Sequence, residues 1–146
     1  SAQMIQRYMS RISGPLLDRI DIHIEVPAVS FQELADKEEG EPSMDIQERV
    51  QKAREVQLSR FKKSGKLFAN AQMESQDLKT HCGLDNESSE LLRTAMDKLG
   101  LSARAYDRIL KVSRTIADLD RKIKIDSGHI SEAIQYRSLD RQLWLG

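Results

Sequence analysis

Cysteine is nearly absent from this sequence. Cys82 is the only one, which excludes an internal disulfide and any thiolate-rich metal cage built from this chain alone. Such sparing use fits a reducing compartment, and a cytoplasmic location is the expectation. Long apolar runs are missing too: no stretch approaches the roughly 20 residues of a membrane span. No basic-then-apolar leader with a small-residue cleavage site opens the chain, so neither a membrane partner nor export is expected. Neither sign of charge dominates, since Lys plus Arg number 23 and Asp plus Glu number 23. A general polyanion-binding surface is therefore disfavoured, and any contact with nucleic acid must rest on how the charges are distributed. Several enzyme signatures are also lacking. Without a G-x-x-x-x-G-K-[ST] phosphate loop, an H-E-x-x-H pair or a G-x-S-x-G elbow, the chain alone is expected to catalyse nothing.

What is present describes a helix-rich chain. Its 146 residues suffice for one ordinary domain with a real core, and 32% charged with 39% hydrophobic residues suits a well-solvated surface. Ile5, Tyr8, Met9 and Ile12 recur at helical spacing until Ser13-Gly14-Pro15 stops the helix. Residues 20–26 then alternate, with Ile20, Ile22, Ile24 and Val26 on one face and Asp21, His23 and Glu25 on the other. This is the best strand in the sequence, and it is an orphan; residues 122–125 are a weak second candidate. Residues 37–44, charged and broken by Gly40 and Pro42, read as a linker.

Helices dominate the remainder. Asp45 with Glu48 resembles a capping box opening an amphipathic helix through Ile46, Val50, Ala53 and Phe61 to about Lys63, closed by Ser64-Gly65. A short helix is expected within residues 70–82. Asp85 caps one carrying Leu91, Leu92, Ala95, Met96 and Leu99, which Gly100 ends. Ser102 caps the next, whose stripe of Ala105, Ile109, Val112, Ile116 and Leu119 marks it as central. A last helix starts near Asp126 or Ser127, buries Ile130, Ala133 and Ile134, and runs out before Trp144.

Few side chains invite chemistry directly. His23, His81 and His129 are far apart and lack neighbouring ligands, so each reads as an ordinary surface or core residue. His81 and Cys82 are adjacent, but successive helical side chains point about 100° apart, which hinders chelation or mutual activation.

Three blocks together carry a resemblance over nearly the whole chain. They are Arg11-Ile12-Ser13-Gly14-Pro15-Leu16-Leu17-Asp18-Arg19-Ile20-Asp21-Ile22 with Tyr8 before it, residues 101–119 beginning Leu101-Ser102-Ala103-Arg104-Ala105-Tyr106, and Ile130-Ser131-Glu132-Ala133-Ile134-Gln135-Tyr136-Arg137. In that order they resemble the C-terminal part of magnesium-chelatase-like AAA+ ATPases, in the ComM/YifB-related group. The resemblance implies a mainly α fold: the end of the AAA+ core over residues 1–36, a linker over 37–44 and a helical lid over 45–146. It implies that Arg19 is an arginine finger acting in trans and Arg104 the sensor-2 arginine acting in cis, with Arg108 a weaker nucleotide-facing candidate. Arg7 and Arg11 are candidates for subunit contacts. A permanently protonated, planar guanidinium suits both tasks, because it can neutralise charge on γ-phosphate oxygens through two parallel bonds.

The same resemblance implies ATP and Mg2+ as cofactors of a longer parent protein, neither bound by this chain alone. Their phosphate loop, acidic Mg2+ motif and sensor-1 residue would lie before Ser1, in an upstream nucleotide-binding core. It further implies a homo-oligomeric ring, as a hexamer, that remodels a substrate such as DNA. Other readings stay open. Arg19 can simply pair with Asp18, Asp21 or another carboxylate. Arg104 sits in a first helical turn, which the helix dipole mildly disfavours for a cation, by about 0.3–1 kcal/mol. The seven basic against three acidic residues between Ser102 and Lys124 fit either a phosphate-facing surface or a solvated face. Leu91 to Leu99, the Gly100 turn and the following helix also outline a helix-turn-helix-like DNA-binding module, or a helical adaptor without ATPase role. An orphan strand with open hydrogen-bonding edges would seek a partner, giving an adventitious dimer or exchanged strand.

Overall fold

End chemistry fixes most helix boundaries in this chain. A computed structural model describes residues 2–9, 11–12, 14–17, 19–24, 26–28 and 40–137. Its elements are α1 (Ala2–Met9), α2 (Gly14–Leu17), α3 (Ser43–Phe61), a 3-10 turn (Asn70–Gln72), α4 (Ser75–His81), α5 (Asn86–Leu99), α6 (Ala103–Leu119) and α7 (Ser127–Gln135). The fold is mainly α, as the periodicity implies. Residues 37–39 of the expected linker, and Trp144 beyond the last helix, lie outside the described residues.

Three N-terminal caps form where the sequence placed them. An Asp85 carboxylate oxygen accepts the Ser88 N–H at 2.8 Å, and this bond holds the Asp85 carboxyl below its ordinary range. Ser102 Oγ accepts the Ala105 N–H at 3.1 Å. Asp126 accepts from the N–H groups of Gly128 and His129 at 3.0 and 3.2 Å, while His129 Nδ1 accepts the Asp126 N–H at 3.0 Å. Histidine here replaces the Glu or Gln of the usual reciprocal cap. Gly100 closes α5 in the left-handed region, at φ 60° and ψ 35°.

The expected capping box at Asp45 does not form. α3 begins two residues earlier, after Pro42, whose carbonyl accepts the Asp45 and Ile46 N–H groups at 3.0 and 3.3 Å. Asp45 instead complements the helix dipole from within the first turn, and Glu48 pairs with Lys52 one turn on. The apolar stripe of α3 is also engaged only in part: Ala53, Gln57 and Phe61 are buried, whereas Ile46 and Val50 are exposed.

Helix α6 is the spine. It packs against α7, α3, the 3-10 turn and α4, while α5 packs on α7. Its Ile109, Leu110 and Ala117 meet Phe61, Met73, Leu78, Leu92, Ile130 and Ala133 in one core.

The strand expected over residues 20–26 is absent among the described residues, as is the weaker one over 122–125. A strand needs a ladder partner, and none forms among the described residues. The His23 N–H donates to the Tyr136 carbonyl at 2.7 Å, and the Ile20 carbonyl accepts from Arg137 at 2.6 Å. Two of the edge groups expected to seek another chain are thereby satisfied within this one.

Below the core lies a buried polar cluster centred on Asp118, which is 3% exposed. Arg60 from α3 grips its carboxylate with both terminal nitrogens, one at 2.7 Å. Asn70 Nδ2 donates to it at 2.8 Å and Arg114 Nε at 3.2 Å. Gln57 Oε1 accepts the Asn70 N–H at 3.0 Å, so the 3-10 turn is bound to α3 as well. Arg114 then reaches forward, donating to the Lys122 and Ile123 carbonyls at 2.7 and 2.8 Å. Those bonds hold the loop that replaces the expected strand. The loop opens with Arg121 at φ 58°, a left-handed conformation rare for a side-chain-bearing residue. The Lys122 N–H reaches the Ala117 carbonyl at 2.8 Å and the Arg121 N–H the Asp118 carbonyl at 3.2 Å, a pattern that usually has glycine at its centre.

Two stability predictions follow from these contacts, both read by urea unfolding of the chain. Asp118→Ala leaves two guanidiniums without their carboxylate and lowers the unfolding free energy by about 3–5 kcal/mol. Arg121→Gly removes the left-handed penalty and raises it by about 0.5–1 kcal/mol; a loss on Arg121→Gly would contradict the strain assigned to that residue.

Candidate functional site

Arg104 and Arg108 stand on the first half of α6, and the segment that follows Arg19 docks beside it. Arg104, the second residue of that helix, is exposed and makes no ion pair or side-chain hydrogen bond among the described residues. The Ser102 cap and the buried Ala105 beside it hold the helix start in place, so the guanidinium projects from a fixed base. Arg108 lies one turn further on and is half-buried, paired with Asp21. Lys111 Nζ donates to the Ala71 carbonyl at 3.0 Å, and Arg114 is buried in the Asp118 cluster. Most of the basic run along α6 is therefore already engaged, and Arg104 is its free cation among the described residues.

Arg19 is exposed in a turn whose backbone is closed by its own N–H donating to the Leu16 carbonyl at 3.0 Å. Its segment is docked on the helices: Ile20 to Arg137, Asp21 to Arg108, and His23 to Tyr136. The structure thus brings the Arg19 block to the flank of α6 without joining Arg19 to Arg104. Arg7 and Arg11 are exposed at the end of α1 and just beyond it.

Sequence reasoning offered Asp21 only as a partner for Arg19, whereas it pairs with Arg108, and it missed the role of Arg137 and the whole Asp118 cluster. Arg137 is 1% exposed, although arginine is rarely so deeply buried. Its only signal was membership of the third resembling block. Arg114 and Asp118 stand four apart on the same helix, a spacing that reports helical pairing but not burial.

The histidines occupy structural positions. His81 meets the Phe61 ring edge-on with centroids 5.4 Å apart. His129 completes the α7 cap and places Nε2 3.3 Å from an Asp120 carboxylate oxygen. His23 is buried within the docked segment. Among the described residues no three of His, Cys, Asp and Glu converge as metal ligands. A shallow cleft of about 420 Å³ lies between α5 and α7, lined by residues that include Leu91, Leu99 and Ile134; none of Arg19, Arg104 and Arg108 borders it. No helix among the described residues is long and apolar enough to cross a membrane.

A helical bundle led by one free arginine, with an arginine-bearing segment docked on its flank, has relatives. Residues 40–137 match the sequence model of the C-terminal region of magnesium chelatase subunit ChlI, and residues 1–34 match that of magnesium chelatase subunit ChlI. The chain therefore belongs to the magnesium-chelatase-like family and carries its C-terminal region. Within that family it is similar to the competence protein ComM of Haemophilus influenzae, at 46% identity over 98% of this chain and 27% of that protein. It is also similar to the YifB protein of Escherichia coli, 42% identical over 94% of this chain and 26% of that protein. The YifB protein of Salmonella typhimurium is 39% identical across the same shares. The chain spans about a quarter of the length of these curated relatives.

Cys82 offers a test of how closely the core is packed. Burial pushes its thiol up to about 11 from an ordinary 9.0, with Arg114 and Arg60 only partly opposing. Between pH 9 and 11 the unfolded chain has released a proton that the folded chain keeps, so stability falls across that window and is independent of this group below it. Denaturation from pH 8.5 to 11 should show a loss on the order of 2 kcal/mol that Cys82→Ala removes. At pH 8 the folded chain should resist alkylation. Rapid labelling without unfolding would mean that the thiol is not enclosed.

Proposed function

We propose that this chain is the C-terminal region of an AAA+ ATPase, supplying one arginine to its own subunit's nucleotide and another to a neighbour's. Arg104 is the sensor-2 group acting in cis, and Arg19 is the finger acting in trans. Residues 1–36 are read as the end of the core, 37–44 as linker and 45–146 as lid. The observation that supports the reading best is Arg104: an unpaired cation, exposed at a rigid helix start within the family's C-terminal region. A permanently charged, unneutralised guanidinium there suits an anionic ligand with oxygens to accept its bonds.

In this reading ATP and Mg2+ are held chiefly by a nucleotide-binding half elsewhere in the same protein, and the relatives' greater length leaves room for one. Bound there, they supply the phosphoryl group and its charge neutralisation; the two arginines here orient and stabilise that charge as it develops. A finger acting on a neighbour requires a closed ring, which we read as a hexamer located in the cytoplasm. Resemblance to the ComM/YifB-related group makes DNA the substrate we propose for its mechanical work.

A helix-turn-helix reading has less support. It needs polar side chains along the start of α6 free to meet base edges. Arg108 is paired with Asp21 and Lys111 with the Ala71 carbonyl, which leaves Arg104.

In the full-length protein, Arg19→Ala should keep ATP binding and lower hydrolysis by roughly a hundredfold or more. Mixing it with a subunit disabled in its own phosphate loop should restore measurable turnover, whereas Arg104→Ala should show no such rescue. Absence of complementation by Arg19→Ala would remove the trans assignment. Tight binding of short duplex DNA by this region alone, with a steep salt slope, would favour the DNA-binding module instead.

A further inference from the structure

We infer that Arg108 and Arg137 are positioning residues that latch the Arg19 segment to the helical bundle, so that Arg19 and Arg104 move as one rigid unit. The inference rests on the ATPase reading for its consequence, and on geometry for the latch itself.

Residues 20–23 have neither a helix nor a strand to hold them. A finger on such a segment would sample many positions, and misplacement of a catalytic group by about 1 Å can cost on the order of a hundredfold in rate. Three successive attachments remove that freedom. Arg137 Nη1 donates to the Ile20 carbonyl at 2.6 Å, the Asp21 carboxylate pairs with Arg108, and the His23 N–H donates to the Tyr136 carbonyl at 2.7 Å. They come from two different places: the first half of α6 and the residues that follow α7. Arg137 is almost wholly buried, which fixes the donor, while Ile20 on the acceptor side is partly open to solvent.

The latch also fixes a relation between the two proposed nucleotide contacts. Arg108 stands one turn after Arg104 on α6, and its partner Asp21 stands two residues after Arg19. Any displacement of α6 on nucleotide turnover therefore carries the Arg19 segment with it. A change at a subunit's own nucleotide would thereby be passed to the neighbour's through one salt bridge, one side-chain-to-backbone hydrogen bond and one backbone–backbone hydrogen bond, without a separate relay.

Hydrogen exchange and steady-state ATP hydrolysis of the full-length protein test this together. Asp21→Asn and Arg108→Gln should each speed exchange of the amides of residues 20–24 roughly fivefold, leaving the interior amides of α6 unchanged. Both should lower kcat for ATP roughly tenfold with KM nearly constant. The exchanged pair Asp21→Arg with Arg108→Asp should recover both quantities, which a merely disrupted fold would not do. Unchanged exchange in the single variants overturns the latch. Faster exchange with unaltered kcat overturns the positioning role. If the unsubstituted protein hydrolyses no ATP, the ATPase reading fails by itself, and the exchange of residues 20–24 still decides whether the segment is latched.

Discussion

One buried carboxylate organises this bundle. Asp118 accepts bonds from Arg60 on α3, Asn70 in the 3-10 turn and Arg114 on its own helix, so three elements distant in sequence meet at a single anion. Two cations and one anion would leave net positive charge in the interior. Burial accordingly holds the Arg114 guanidinium below its ordinary value, with Asp118 opposing the shift. The Lys122 and Ile123 carbonyls supply the remaining compensation. Those two bonds dictate the path of the chain after α6 and force Arg121 into a left-handed turn that its side chain would otherwise avoid. A hub so connected is sensitive to the loss of any partner, because each remaining charge would stay buried and unanswered.

Helix α6 divides its labour along its length. Its second half, with Ala117, Arg114 and Asp118, is sealed into the core and the polar hub. Its first half carries Arg104 into solvent and Arg108 onto the Asp21 segment. Because Ala105, Ile109 and Leu110 of that first half are themselves buried, the exposed Arg104 stands on an anchored helix, which fixes the base of its side chain. The exposed start of α3, with Ile46 and Val50 unburied, shows the opposite state: an apolar stripe that the bundle does not reach.

Much of the helical framework was legible because its signals are local. Asp85, Ser102, Asp126 and Gly100 act within three or four residues of themselves, so their capping roles could be read directly. The stripe of α6 announced a central helix for the same reason. Local chemistry misled in two places. Asp45 and Glu48 had the spacing of a reciprocal cap, yet the chain became helical at Ser43 and left both free for other contacts. Residues 20–26 had the alternation of a strand, but alternation describes faces, not partners.

The sequence by itself determined most of the helices, several of their ends and the family to which the three motif blocks belong, because periodicity, capping and motif spacing are properties of neighbouring residues. Only the tertiary structure decided that Asp118 would anchor two arginines, that Arg108 and Arg137 would hold the Arg19 segment, and that Arg104 would remain unpaired among the described residues. Each of those outcomes joins positions that the chain separates widely or buries a charge whose cost depends on surroundings. No pattern of adjacent residues encodes them, since a buried ion's partner is chosen by packing rather than by spacing.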